Sequence, residues 1–284
     1  MNVTALRLTL GLSLLLTACA APGERRLTTT DAAAEGWALM ERTAYREALA
    51  QFDRALATEA SASHHAGRGR ALLALGRTES AVDAYGAAVA IDPEVSDWHH
   101  GLALSLLADG ELQESLRAFA RALELAPEDA VLHYNHGFVC DVVGNDDAAR
   151  SAFTRAVQLD PAYAAAYNAR GVIHARTGSL EQGLADFERA WSLDPSLVSA
   201  LANQASALHA KGASRRALGL LNKAIKLERS NALFRINRGR LLLELGEPHL
   251  ALSDFESALE LTPEDTTLSH LVREARAACG GLDR

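Results

Sequence analysis

Small, aromatic and turn-forming residues return along the chain at a fixed interval. Gly69, Ala103, Gly137, Gly171, Ala205 and Gly239 stand 34 residues apart, and Gly36 precedes Gly69 by 33. Ala81, Ser115, Ala149, Gly183, Ala217 and Ala251 keep the same ruler. Four residues later come Tyr85, Phe119, Phe153, Phe187, Leu221 and Phe255, and three further on Ala88, Ala122, Ala156, Ala190, Ala224 and Ala258. Steps of three and four put these residues on one helical face. A second glycine series (Gly76, Gly110, Gly144, Gly178, Gly212, Gly246) falls where a left-handed helix end is needed. Pro93, Pro127, Pro161, Pro195 and Pro263 stop the second helix of each unit, and Arg229 interrupts that series once. The pattern therefore predicts repeated pairs of helices, the first bare at its contact point and the second carrying a ring.

The period and its small, aromatic and proline slots resemble the tetratricopeptide repeat, a helix-turn-helix unit. Seven units are expected over 29–265: 29–61, 62–95, 96–129, 130–163, 164–197, 198–231 and 232–265. The resemblance implies an all-α fold, a right-handed α-solenoid of helix-turn-helix units. In 266–284, Leu268, Leu271, Val272 and Ala275 make one apolar stripe, as a C-terminal capping helix requires.

Composition agrees. Of 284 residues, 49% are hydrophobic and only 5% aromatic, with alanine and leucine favouring helix over sheet. The net charge of −8 gives no sign of a nucleic-acid partner. Three scattered cysteines, Cys19, Cys140 and Cys279, make no disulfide framework. Residues 1–18 have the make-up of a signal peptide: Arg7 precedes an apolar run from Leu8 to Ala18 that is too short to span a bilayer. The run ends Leu16-Thr17-Ala18-Cys19, which resembles the lipobox of bacterial lipoproteins. That resemblance implies an acylated Cys19, followed by a short linker to Thr28, on a protein held in the cell envelope. With Ala20 after the cysteine, the outer membrane facing the periplasm is expected.

The stretch His133-Tyr134-Asn135-His136-Gly137-Phe138-Val139-Cys140 invites a metal-site reading, since His133, His136 and Cys140 share a helical face. Within the repeat they fall at the fourth, seventh and eleventh slots, which in the family face the second helix of the same unit. His65, His99 and His133 repeat at the fourth slot one helix-packing distance apart, long for two imidazoles on one ion. No metal and no cofactor are expected. No phosphate loop or nucleophile elbow appears, so no enzyme is expected either.

The family's first helices line a groove that takes an extended or helical segment of a partner. The positions the resemblance assigns to that groove are His100, Leu104 and Leu107, then Tyr134, Phe138 and Asp141, then Asn168, Val172 and Arg176. Leu104, Phe138 and Val172 occupy the slot where a carboxylate clamp would want asparagine, which argues against a chaperone-tail receptor. Residues 211–240 hold nine cations, including Lys211, Arg215, Arg216, Lys223, Lys226 and Arg240, against the single acid Glu228. They suggest a surface for an acidic partner, a lipid headgroup or a glycan. The expected function is a non-catalytic adaptor for envelope proteins, similar to a pilotin or pilus-assembly lipoprotein. The alternatives are an adaptor for peptidoglycan-processing enzymes and, as a third, a metal or small-ligand carrier.

Overall fold

The computed structural model describes residues 32–282, and every regular element among them is helical. The signal segment 1–18, Cys19 and the linker to Thr28 lie outside the described residues. Seven helix pairs follow one another: α1 (Ala32–Glu41) with α2 (Tyr45–Thr58), α3 (Ala62–Ala74) with α4 (Thr78–Ile91), α5 (Ser96–Asp109) with α6 (Leu112–Leu125), and α7 (Ala130–Val142) with α8 (Asp146–Leu159). Then come α9 (Ala164–Arg176) with α10 (Leu180–Leu193), α11 (Ser199–Ala210) with α12 (Ser214–Leu227), and α13 (Ala232–Glu244) with α14 (Pro248–Leu261). A last helix, α15, runs from Thr266 to Leu282. This is an all-α solenoid of helix-turn-helix units. It forms two compact units that divide between Asp160 and Pro161.

Each pair closes on the contact the sequence periodicity marks. In the first unit Phe52, Phe119 and Phe153 are fully buried, and in the second Phe187 and Phe255. Except at Phe119, whose slot partner is Ala103, these rings lie on first-helix glycines with no room for a side chain. A Cβ on Gly137 would come within 2.9 Å of the Phe153 ring, and one on Gly171 or Gly239 within 2.7 or 2.6 Å of Phe187 or Phe255. In the 164–197 repeat the second helix is bare as well: a Cβ on Gly183 would sit 2.9 Å from the Gly171 carbonyl oxygen, backbone against backbone. Where Ser115 replaces the usual alanine, its hydroxyl donates to the Ala103 carbonyl at 2.8 Å, so the exchange leaves no buried polar group unpaired.

Each first helix ends in the same way. In α3 the Gly76 and Arg77 amides donate back to Leu73 and Leu72, a Schellman end that needs Gly76 at φ 72°. The first repeat departs from this: Thr43 stands in the glycine slot at φ 58°, a β-branched residue in left-handed backbone. Second-helix starts are capped where the chain allows, as at Asn145, which accepts the Ala148 amide at 3.1 Å ahead of Asp146 and Asp147. At the far end Leu268, Val272 and Ala275 of α15 are buried in one cluster with Leu242, Phe255 and Ala258, while Leu271 is half-buried beside it.

These contacts set opposite signs for similar substitutions. Gly101 faces Tyr85, and an added Cβ would fall 2.1 Å from the ring; Gly86 in α4 has nothing within 4 Å. Gly101→Ala is expected to destabilise by about 1–3 kcal/mol through overpacking. Gly86→Ala should stabilise by about 0.5–1 kcal/mol through helix propensity. Thr43→Gly should also stabilise, by about 0.5–1 kcal/mol, by relieving left-handed strain. Urea titrations followed by circular dichroism check all three.

Candidate partner-binding site

In the first unit the residues assigned to a groove divide sharply. Leu104 and Leu107 on α5 are 1% and 0% exposed. They belong to one core cluster with Phe119, Leu132 and Val139, leaving a partner no surface to touch. His100 is buried too, and its Nε2 accepts a hydrogen bond from Asn135 Nδ2 at 2.8 Å. Tyr134, Phe138 and Asp141 on α7 are half-buried. The two rings pack against the core from its edge, Tyr134 standing 5.7 Å from Phe153 between centroids. Burial pushes the Tyr134 hydroxyl up to about 12, so it stays a neutral donor and acceptor.

The histidine-cysteine face of α7 is a packing and capping device. His133 Nε2 donates to the Pro127 carbonyl at 2.9 Å, and His99 Nε2 to the Pro93 carbonyl at 2.8 Å. The fourth-slot imidazole thus closes the turn before its own helix, where its slot predicts a side chain facing the second helix. His136 and Cys140 do meet, Sγ to Nε2 at 3.7 Å. Burial lowers the His136 pKa, with His133 adding to the effect, and raises the Cys140 thiol to about 11, which makes it a poor nucleophile and a poor metal ligand. His133 and His136 border an open cleft of about 810 Å³ whose other wall is α8, with Arg150, Arg155 and Gln158. Among the described residues no three His, Cys, Asp or Glu side chains converge as metal ligands.

In the second unit Asn168 and Val172 on α9 are half-buried and Arg176 is exposed. Asn203 Nδ2 donates to Asn168 Oδ1 at 3.0 Å, the same slot pairing as Asn135 with His100. Two buried ion pairs also recur in register. Arg170 Nε and Nη2 donate to Asp186 at 2.8 and 2.7 Å, and Arg238 Nε and Nη2 to Asp254 at 2.7 and 2.5 Å. The sequence reading missed both; arginine at the seventh slot with aspartate at the twenty-third was the available signal.

Three of the cations of 211–240 are already engaged within the fold. Lys211 pairs with Glu181, Lys223 lies 4.5 Å over the Trp191 ring, and Arg238 is taken by Asp254. Arg215, Arg216, Lys226 and Arg240 are exposed. Arg215 and Arg216 begin α12 and Lys226 ends it, roughly 15 Å apart along the axis.

Residues 33–96, 66–130, 143–197 and 202–266 match the family model of the tetratricopeptide repeat, and the chain belongs to that family. No curated protein was found to match it. Among solved structures it is similar to the pilF protein of Pseudomonas aeruginosa, at 20% identity and a TM-score of 0.64, over 76% of this chain and 96% of that one. It is similar to YrrB, described as a TPR protein with an unusual peptide-binding site, at 23% identity and a TM-score of 0.55, over 64% and 95% of the two chains. Against a chain of the Cut9–Hcn1 assembly of APC/C the TM-score is 0.67 at 18% identity; 85% of this chain aligns, spanning 51% of that one.

Two measurements test the polar groups. Burial holds His100 neutral, its pKa pushed down to about 4 from about 6.5. A depressed histidine contributes stability that is complete above about pH 6.5 and lost as the pH falls toward 4. That gap corresponds to about 3 kcal/mol, and His65 and His136 act in the same direction. Denaturant midpoints between pH 7.5 and 4.5 should fall steeply for the native chain and less steeply for His100→Gln, which keeps an acceptor for Asn135. Asp254→Ala should cost about 1–3 kcal/mol, since half-buried Arg238 loses two bonds and keeps the one to Asn222, whereas replacing both partners with leucine should recover most of that loss.

Proposed function

We propose that the chain is a lipid-anchored, non-catalytic scaffold of the bacterial cell envelope that holds a peptide segment of a partner against its first helices. Scaffolding of protein partners is the general use of the family; the anchor and the envelope setting rest on the Leu16-Thr17-Ala18-Cys19 sequence. The observation that carries the peptide reading is the half-buried Tyr134 and Phe138 pair on α7. These are large rings packed against the core and only partly covered, the form that binding hot spots take. The likeness to YrrB, whose description names a peptide-binding site, and to pilF supports a peptide-binding envelope protein of the pilotin or pilus-assembly kind.

Photo-crosslinking from position 138 in intact cells is expected to trap one principal envelope protein. Binding of its trapped segment should weaken about tenfold or more in Tyr134→Ala and Phe138→Ala, measured by calorimetry, and should not change in Ile91→Ala. Cys19→Ser should make the protein extractable from the membrane fraction by high salt, where the acylated form resists extraction. Loss of secretin multimers on deletion supports the pilotin form. Capture of peptidoglycan hydrolases with secretins intact replaces it.

A further inference from the structure

One turn departs from the repeat in several ways that packing does not explain. Between α12 and α13 the chain reads Lys226-Leu227-Glu228-Arg229-Ser230-Asn231-Ala232-Leu233. Arg229 occupies the slot that holds Pro93, Pro127, Pro161, Pro195 and Pro263 elsewhere. Leu233 fills a slot that is small or polar at Ser63, Asp97, Ala165, Ser199 and Thr267 and carries the smaller apolar Val131 in the fourth repeat. Leu227 keeps the apolar residue usual in its slot and is 52% exposed, as Ile91 and Leu261 are at 50% and 42%; beside it Leu233 adds a second uncovered leucine, 55% exposed. Lys226 and Arg229 are exposed as well.

Arg235 adds a third cation, held in place. Its Nη2 donates to the Arg229 carbonyl at 3.3 Å, the same bond that His99 and His133 make to Pro93 and Pro127. A histidine gives its N–H to that carbonyl and has no further donor when neutral; a guanidinium has more. Arg235 Nε is shut from solvent and meets no acceptor in the protein. The one carboxylate in the turn, Glu228, is tied to Asn231 Nδ2 at 2.8 Å. Three cations thus face one carboxylate here, whereas the next turn, between α14 and α15, carries Glu260, Glu264 and Asp265.

We propose that the α12–α13 turn docks on an anionic phospholipid surface. Leu227 and Leu233 enter the acyl boundary while Lys226, Arg229 and Arg235 meet headgroup phosphates. The form of the surface selects this occupant. The leucines project from the tip of a helical hairpin, where a protein partner would have to bring a pocket for each. A bilayer edge accepts such tips without one, and its phosphates offer acceptors to the exposed Lys226 and Arg229, with the pinned Arg235 adding its charge. This contact is separate from the peptide surface on α7 and from any acyl chain on Cys19, and it would hold the last repeats against the same membrane.

The test uses the full chain carrying Cys19→Ser, so that acylation contributes nothing, and sedimentation with vesicles of phosphatidylcholine alone or with added phosphatidylglycerol. Binding should be at least tenfold tighter to the anionic vesicles. It should fall about 25-fold in Lys226→Gln with Arg229→Gln, at roughly fivefold per cation, and by a similar factor in Leu227→Ser with Leu233→Ser. The control is Ile91→Ser, at an exposed apolar position beside a proline-bearing turn, which should bind as the native chain does. Leu233→Trp should shift its fluorescence to the blue on anionic vesicles. Equal binding to both vesicle types, an unshifted Trp signal, or leucine variants that bind normally would each overturn the inference. Loss with the charge variants alone, together with competition by an acidic peptide, would assign the turn to an acidic protein instead.

Discussion

The structure depends on a ring lying on bare backbone. At each of Gly137, Gly171 and Gly239 the facing phenylalanine comes closer than any Cβ would permit. That contact fixes the separation of the two helices, and through it much else. The helices must be joined by a short turn, which requires left-handed backbone at Gly76 and its equivalents. The second helix must then stop in time for the next first helix to lie beside it, a job given to proline. Each requirement is local, and each recurs because the last one did. A period of 34 follows from geometry that leaves little freedom at the slots concerned and much at the rest.

That division explains what could be read in advance. The slots that set the fold carry residues chosen by packing, and glycine, phenylalanine, alanine and proline announce themselves. Even the exceptions obey the rule: Ser115 finds a carbonyl, and Thr43 adopts the backbone of the glycine it replaces. The surface was less legible, because a slot gives the direction of a side chain and not what the next repeat lays over it. Leu104 and Leu107 point as a groove residue should, but Leu132, Val139 and the edges of Tyr134 and Phe138 close over the same cluster. The slot of His133 directs it to the seam within its repeat, yet an imidazole needs an acceptor, and the Pro127 carbonyl supplies one 2.9 Å away.

Buried polar groups show the same logic in pairs. Arg170 with Asp186 and Arg238 with Asp254 occupy identical slots in the fifth and seventh repeats, and in each case both members are present together. Half of such a pair would leave a charge stranded between helices, at a cost comparable to a large share of a domain's stability. The slot pairing of His100 with Asn135, and of Asn168 with Asn203, links successive first helices in the same reciprocal way. These side chains specify register and are spent on it, so conspicuous chemistry in this chain is mostly structural chemistry.

What remains for function is the group the scaffold positions but does not use up. The fourth slot makes the distinction plain. In the third and fourth repeats histidine occupies it and gives its ring N–H to the carbonyl of the preceding turn. In the seventh, arginine makes the equivalent bond with one nitrogen and brings to the turn a full positive charge that a neutral imidazole lacks. The same position, serving the same turn, changes from satisfied to acquisitive through a single exchange of side chain. Tyr134 and Phe138 follow the pattern in apolar terms, one face consumed by the core and one left over. A repeat protein can therefore acquire a binding surface without disturbing its fold, provided the new residue still performs the packing duty of its slot and brings more capacity than that duty needs.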